Sequence, residues 1–277
     1  MLYDFRDTVQ TFCDIVPPTV PLPSEALCFN GVWIDSEISL YRTLYVSGRE
    51  SFSADINETA LESLDGSVFL RSRLLPRTIT VGYQITASTA AQYMDAFNRL
   101  CRLMSGKQVQ VIFADEPDKY YIGTCRTVGA PEPGRLSVKA EMEIYCADPC
   151  KYSVDETTVF TDSRGLFVVD YPGSYPVRPT FEAIFSGNAK QVVFTCAGAV
   201  VTAGDGEASA YTFIQNDVLT IDCSAAEISL NDISTPGLGS IANQYENMIL
   251  SPGENTITPS TVGAAPVFKM RFREAWL

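Results

Sequence analysis

Residues 77–86 read RTITVGYQIT and residues 88–106 read STAAQYMDAFNRLCRLMSG. The first stretch alternates. Ile79, Val81, Tyr83 and Ile85 fall on one face of a strand, and Thr78, Thr80, Gln84 and Thr86 on the other. In the second stretch the period lengthens to that of a helix. Tyr93, Met94, Phe97, Leu100, Cys101 and Met104 gather on one stripe of a helix spanning about 88–105. Ser88 or Thr89 can cap its start, and Gly106 ends it. This is the one helix that the sequence predicts, so the fold class is mainly β.

The strands extend outward from this pair. VQVIFADEPDKYYIG (109–123) reads as strand, acidic turn, strand. RLSVKAEMEIYC (135–146) alternates again. Leu136, Val138, Ala140, Met142, Ile144 and Cys146 are expected inward, and Ser137, Lys139, Glu141, Glu143 and Tyr145 outward. On the other side, LCFNGVWIDSEISLYRTLYVSG (27–48) reads as a hairpin, with Asn30-Gly31 as its turn. Residues 50–75 show no sustained period and read as a long excursion. Excursions of that length in compact domains are functional or are ordered by a partner. The first 26 residues end in the proline-rich VPPTVPLP, an extended arm, because proline blocks helix and central strand alike.

After ADPCKY the character changes. Residues 151–277 hold short apolar runs between Gly, Pro, Asn and Asp turns: GLFVVDYPG, RPTFEAIFSG, KQVVFTCAG, SAYTFI, DVLTIDC, AEISLND, NMILSPGENTIT and PVFKMRFREAWL. Short strands at this spacing read as a β-sandwich or barrel. The expected organisation is an arm over 1–26, a β domain with one helix over 27–150, and a second β domain over 151–277.

Charge and composition narrow the function. The chain has 277 residues, 20 Lys plus Arg, 33 Asp plus Glu and no histidine, for a formal charge of -13. Hydrophobic residues make up 46% and charged residues 19%, a globular composition whose sparse charge suits a surface covered by partner subunits. Without histidine there is no Ser-His-Asp or Cys-His dyad and no usual base near neutral pH. The negative balance argues against tight binding to a phosphate backbone. No apolar run is long enough for a membrane helix, and the N-terminus lacks the features of a signal peptide.

The motifs tested for chemistry read as structure. Asp115, Glu116 and Asp118 match neither a glycosidase pair nor a calcium loop and read as a solvated hairpin turn. Gly204-Asp205-Gly206 lacks the residues of a phosphate loop and reads as a turn. The eight cysteines, with no CxxC among them, read as structural buried thiols in a reducing cytosol. No catalytic residue, cofactor or metal site is expected. Residues 191–268 carry eight acids and no Lys or Arg, and the final strand then sets Lys269, Arg271 and Arg273 on one face. Cross-strand pairing with an acidic strand is the favoured reading of those cations, and a partner-contact strip the other.

Several of these segments, in this order, resemble the distal tail proteins of long-tailed phages with non-contractile tails. They are FNGVWIDSE (29–37), GSVFLRSRLLPRTITVGYQI (66–85), the single helix, FADEPDKYYIG (113–123), EIYCADPCKY (143–152) with its Asp148-Pro149 pair, LTIDC (219–223), EISLND (227–232), MILSPGENTIT (248–258) and the closing FKMRFREAWL (268–277). The resemblance spans about residues 27–277. The first 26 residues precede the family's usual start, and the second domain lacks the long insertion that some relatives carry.

The resemblance implies two β-sandwich domains, the first with one α-helix and tail-tube-like, the second galectin-like. It implies a non-enzymatic hub of the tail tip in the virion, assembled in the host cytoplasm. Its implied partners are further copies of itself in a hexameric ring, the tail-tube protein and the tail-associated hub or spike protein. The tape-measure protein and receptor-binding proteins are further partners, and DNA is a transient passenger in a central channel. The excursion 50–75 is the natural clasp for the adjacent subunit. The candidate interface residues are Trp33, Arg49, Phe52, Phe69, Tyr120 and Tyr121, with core burial the competing reading for Trp33, Tyr120 and Tyr121. The rival functions are another tail component, such as a tail-tube protein or baseplate adaptor, and a carbohydrate-binding module.

Overall fold

The computed structural model describes residues 22–61, 65–129, 135–206 and 211–277. Most of the proline-rich arm lies outside them. The chain divides into two compact units, one ending at Tyr152 and the other running Ser153–Trp276.

The first unit contains β1 (Leu27–Phe29), β2 (Val32–Trp33), α1 (Ile34–Glu37), β3 (Tyr41–Ser47), β4 (Ala54–Ala60), β5 (Ser67–Leu74), β6 (Arg77–Thr86), α2 (Ala90–Leu103), β7 (Val109–Phe113), β8 (Glu116–Val128) and β9 (Ser137–Cys146). Its sheet runs in the order β2-β1-β7-β8-β9-β6-β3. The β1–β2 hairpin turns at Asn30 (φ 52°) and Gly31 (φ 79°). Two consecutive positive φ values make a type I′ turn, which Asn-Gly adopts at least cost.

Within this order β8 pairs with both β7 and β9. Its first half pairs with β7 and its second half with β9, with an irregularity between Cys125 and Thr127. A strand that changes partners at a break in its ladder lets one sheet curl over its own core. That core joins Leu27, Phe29, Val111 and Phe113 from one end of the sheet to Ile79, Val81, Tyr83, Ile85, Met142 and Ile144 from the other. α2 adds Tyr93, Ala96, Leu100 and, just past its end, Met104 to the same core.

β6 and β9 pair over ten residues each, from Arg77↔Cys146 to Thr86↔Ser137. The inward face predicted for β6 is buried throughout. On β9, Val138, Met142, Ile144 and Cys146 are buried, but Leu136 stands before the strand and is exposed. The helix is shorter than predicted and starts on Thr89, whose Oγ1 accepts from Gln92 N at 3.2 Å. Gln92 Oε1 reaches back to accept from Ser88 N at 3.2 Å, so both flanks of the N-terminus are satisfied. Met94 and Cys101 are exposed, a correction to the predicted stripe. Each lies ~100° round the helix from its buried neighbour Tyr93 or Leu100, and Ala96 fills the buried arc instead. A second helix, the single turn α1, was not predicted. Its Asp35 accepts from Thr43 N at 2.8 Å and Thr43 Oγ1 at 2.7 Å.

β10 (Lys151–Ser153) carries the chain across the division. The second unit holds β11 (Thr157–Phe160), β12 (Phe167–Tyr171), β13 (Thr180–Ile184), β14 (Ala189–Cys196), β15 (Ala199–Ala203), β16 (Val218–Asp222), β17 (Glu227–Leu230), β18 (Ile233–Ser234), β19 (Gly253–Gly263), β20 (Val267–Phe272) and β21 (Ala275–Trp276). Among its described residues only two short 3-10 turns, Pro236–Leu238 and Tyr245–Asn247, are helical.

A sheet β11-β20-β13-β16-β17-β18 faces a sheet β12-β19-β14-β15 across one aromatic core. Phe181 of one sheet stacks on Phe194 of the other at 4.1 Å, with Phe167 and Phe268 packed around the pair. This is a β-sandwich, as the short alternating strands predict. SAYTFI is not a strand in its described part. Phe213 makes one isolated bridge to Ala189 and stacks on Phe185 at 4.6 Å.

Candidate assembly surface

The excursion between β3 and β6 forms an antiparallel ribbon, β4–β5, paired from Ala54↔Leu74 to Ala60↔Ser67 with a bulge beside Asn57/Glu58. Its tip, residues 62–64, lies outside the described residues. Every residue of β4 is exposed, and so is every residue of β5 except the half-buried Leu74. The two faces differ. Residues directly opposite in a ladder share a face. One face therefore carries Ala54, Ile56, Glu58 and Ala60 with Leu74, Ser72, Phe69 and Ser67 opposite them, and the other carries the Asp55–Arg73 ion pair (3.2 Å), Asn57, Arg71, Thr59 and Val68. Ile56 is 59% and Phe69 63% exposed, and Phe52 at the root is 57% exposed. A two-stranded ribbon without a covered face is marginal in water.

The predicted interface residues fall into three groups. Phe52 and Phe69 stand exposed on and beside the ribbon. Trp33, Tyr120 and Tyr121 are buried inside the first unit. Tyr121 packs edge-on against Phe113 at 6.4 Å, and burial pushes its hydroxyl up to about 12. Arg49 turns into its own unit at the ribbon's root. Its guanidinium grips Asp115 with both terminal nitrogens (2.9 and 2.8 Å), reaches Glu25 at 3.3 Å and lies over the Phe113 ring at 4.6 Å.

The acidic hairpin turn is therefore ion-paired rather than merely solvated. Arg49 holds Asp115 below its ordinary pKa. Burial pushes Glu116 upward, but Lys151 (2.8 Å) and Lys119 (3.1 Å) outweigh it and hold this carboxyl low as well.

The C-terminal cations are also engaged. Lys269 sits opposite Glu182 in the ladder and meets it at 3.3 Å. Arg271 meets Glu156 at 3.4 Å and Glu182 at 3.6 Å. Arg273 donates to the Ser153 carbonyl at 3.2 Å and to that of Val154. Cys101, Cys125, Cys146, Cys150, Cys196 and Cys223 are free thiols. Cys28, Cys146, Cys150, Cys196 and Cys223 are buried, whereas Cys125 is half-buried and Cys101 exposed. Among the described residues there is no group of three or more His, Cys, Asp or Glu placed to hold a metal ion. No described helix is long and apolar enough to cross a membrane.

Each unit matches a different family model. Residues 36–146 match the phage tail protein RIFT-related domain, and residues 172–276 match the C-terminal domain of the siphovirus-type tail component. The chain belongs to the siphovirus distal tail protein family. Among the family's curated members, the distal tail protein of Bacillus phage SPP1 is 24% identical over 231 residues, covering 82% of this chain and 88% of that protein. The fold agrees with that of a solved distal tail protein. The crystal structure of SPP1 Dit superposes with a TM-score of 0.77 at 18% identity, over 91% of this chain and 99% of that one. The SPP1 protein is described as a paradigm of the hub adsorption apparatus in phages that infect Gram-positive bacteria.

Proposed function

We propose that this distal tail protein is a ring-forming hub of the tail tip, and that the β4–β5 ribbon is its clasp on the neighbouring subunit. The carrying observation is the ribbon itself: exposed along both strands, with Ile56 and Phe69 on the face whose one charged residue is Glu58, and covered by none of the described residues. A contact between the ribbon of one copy and a different surface of the next is heterologous, and such contacts form a ring where the rotation between copies closes. In this reading six copies form the ring. It continues the tail tube on one side and receives the tail-associated hub or spike protein on the other, with a central channel through which DNA passes. The acidic balance of -13 suits such a channel, because like charge keeps DNA from sticking. The first unit is the tail-tube-like, ring-forming domain, and the second, galectin-like in fold, faces outward toward peripheral host-recognition proteins. The role is structural, without catalysis, and its place is the virion.

The test is mass photometry with negative-stain microscopy of the full chain, alone and with its hub partner. Rings are expected for the wild type. Replacing residues 54–74 by a short Gly-Ser linker is expected to leave a folded monomer. A wild type that stays monomeric with and without the partner, or a ribbonless variant that still forms rings, overturns the reading.

A further inference from the structure

The strands of the ribbon are exposed along their length, so the described residues hold it chiefly at its roots. A ribbon on loose roots would sweep a wide cone and meet a neighbour at no fixed angle. These roots are not loose. Leu75 N donates to Ser53 O at 2.8 Å and ties the two roots together. Gly48 has φ 89°, and the Thr78 carbonyl lies 2.3 Å from where a Cβ would stand, so the roots press backbone on backbone.

Two buried guanidinium groups then fasten this knot to the sheet of the first unit. The Arg49 side chain is 9% exposed and Arg77 is 5% exposed. Arg49 binds Asp115 in the β7–β8 turn and Glu25 ahead of β1, and the other oxygen of Glu25 accepts from Val46 N at 2.9 Å. Arg77, on the descending root, donates through Nη1 to the Arg49 carbonyl and lies over the Tyr121 ring at 5.5 Å. The anchors thus come from two segments distant in sequence from the roots, the residues ahead of β1 and the β7–β8 hairpin. Arg77 keeps Nε and Nη2 buried without a hydrogen-bond partner. Burying unpaired donors of a charged group opposes stability, so this residue is better explained by the geometry it imposes.

We propose that Arg49 and Arg77 are positioning residues that preset the angle of the ribbon in the free subunit. Their consequence for assembly rests on the ring reading above, whereas their effect on the ribbon does not. A planar fork that binds Asp115 through two nitrogens fixes direction as well as distance, and a lysine in its place fixes only distance. Pre-setting the angle removes an ordering cost from each contact in a ring.

Spin labels introduced as noncanonical residues at Thr59 on the ribbon and Lys139 on β9, both exposed, report the angle by double electron–electron resonance on dilute full-length protein. The wild type and an Arg73→Lys control are expected to give one narrow distance distribution. Arg49→Lys, Arg77→Lys and Asp115→Asn are each expected to broaden it about twofold while the thermal unfolding transition stays cooperative. Asp115→Asn keeps the test decisive where an arginine variant does not fold. A distribution as narrow as wild type in Arg49→Lys and Asp115→Asn overturns the proposal. Mass photometry of the same proteins separates the two readings. Broadening in a wild-type background that never forms rings sinks the ring and keeps the positioning role. Rings with no broadening do the reverse.

Discussion

Two antiparallel strand pairs in the first unit, β6–β9 and β4–β5, have similar ladders and opposite fates. β6–β9 buries Ile79, Val81, Tyr83, Ile85, Met142 and Ile144 against the helix and the far end of the sheet. β4–β5 buries none of its side chains fully. A hydrogen-bonded ladder is common to both, so pairing is not what separates them. What differs is whether a face meets a partner inside the chain. Each fully buried Ile or Val is worth about 1.5–3 kcal/mol relative to exposure, and the ribbon forgoes that term in the free subunit. One pair holds the unit together, and the other stays exposed along its length.

The sharpest way to break this comparison is to delete packing from the first pair. Ile144→Ala is expected to cost about 2–5 kcal/mol, read as a drop in the denaturation midpoint. A loss below 1 kcal/mol would mean that the β6–β9 face is not the core. Next, Thr89→Ala removes the helix cap on the covered side and is expected to cost about 1 kcal/mol by the same measurement. No change would place α2 outside the cooperative unit.

A smaller effect follows from pH. Asp115 and Glu116 have folded pKa values below their unfolded ones, so the stability they contribute is present above the ordinary carboxylate range. It is lost as pH falls below about 4 through the depressed values. The unfolding midpoint should therefore be nearly flat from pH 8 to about 5 and decline below that, and Asp115→Asn should reduce the decline. A midpoint that rises on acidification contradicts the assignment. The smallest effect on stability belongs to the ribbon. Ile56→Ser and Phe69→Ser should shift stability by less than about 0.5 kcal/mol, because exposed side chains have little burial to lose. Together they should abolish ring formation. Destabilisation comparable to that of Ile144→Ala would erase the contrast between the two pairs.

The sequence reveals the covered pair and conceals the exposed one for the same reason. Alternation is written only where a face is buried, and RTITVGYQIT carries it clearly. The ribbon segment, from Ala54 to Leu74, mixes Ile56, Val68, Phe69 and Leu70 with charges on both strands, because no core in its own chain selects one face. The clue there is negative: a long aperiodic excursion in a compact domain. Of the residues named for the interface, Phe52 and Phe69 stood in that excursion. Trp33, Tyr120 and Tyr121 were named by residue type, which does not distinguish a core aromatic from a surface one. Met94 and Cys101 were placed on the helix stripe by hydrophobicity, and Ala96 was passed over because a small side chain gives a weak signal.

The amino-acid sequence by itself determined the strand–helix–strand centre, the Asn30-Gly31 turn, the short strands of residues 151–277 and the ordered motifs of the family. Each of these depends on local periodicity or on the backbone freedom of one or two residues. Only the tertiary structure decided that Arg49 binds Asp115 and Glu25, that Arg77 closes the ribbon's root, and that Lys269 and Arg271 meet Glu182. Those contacts join residues far apart in the chain. A charge has a partner only once the fold has brought one within reach.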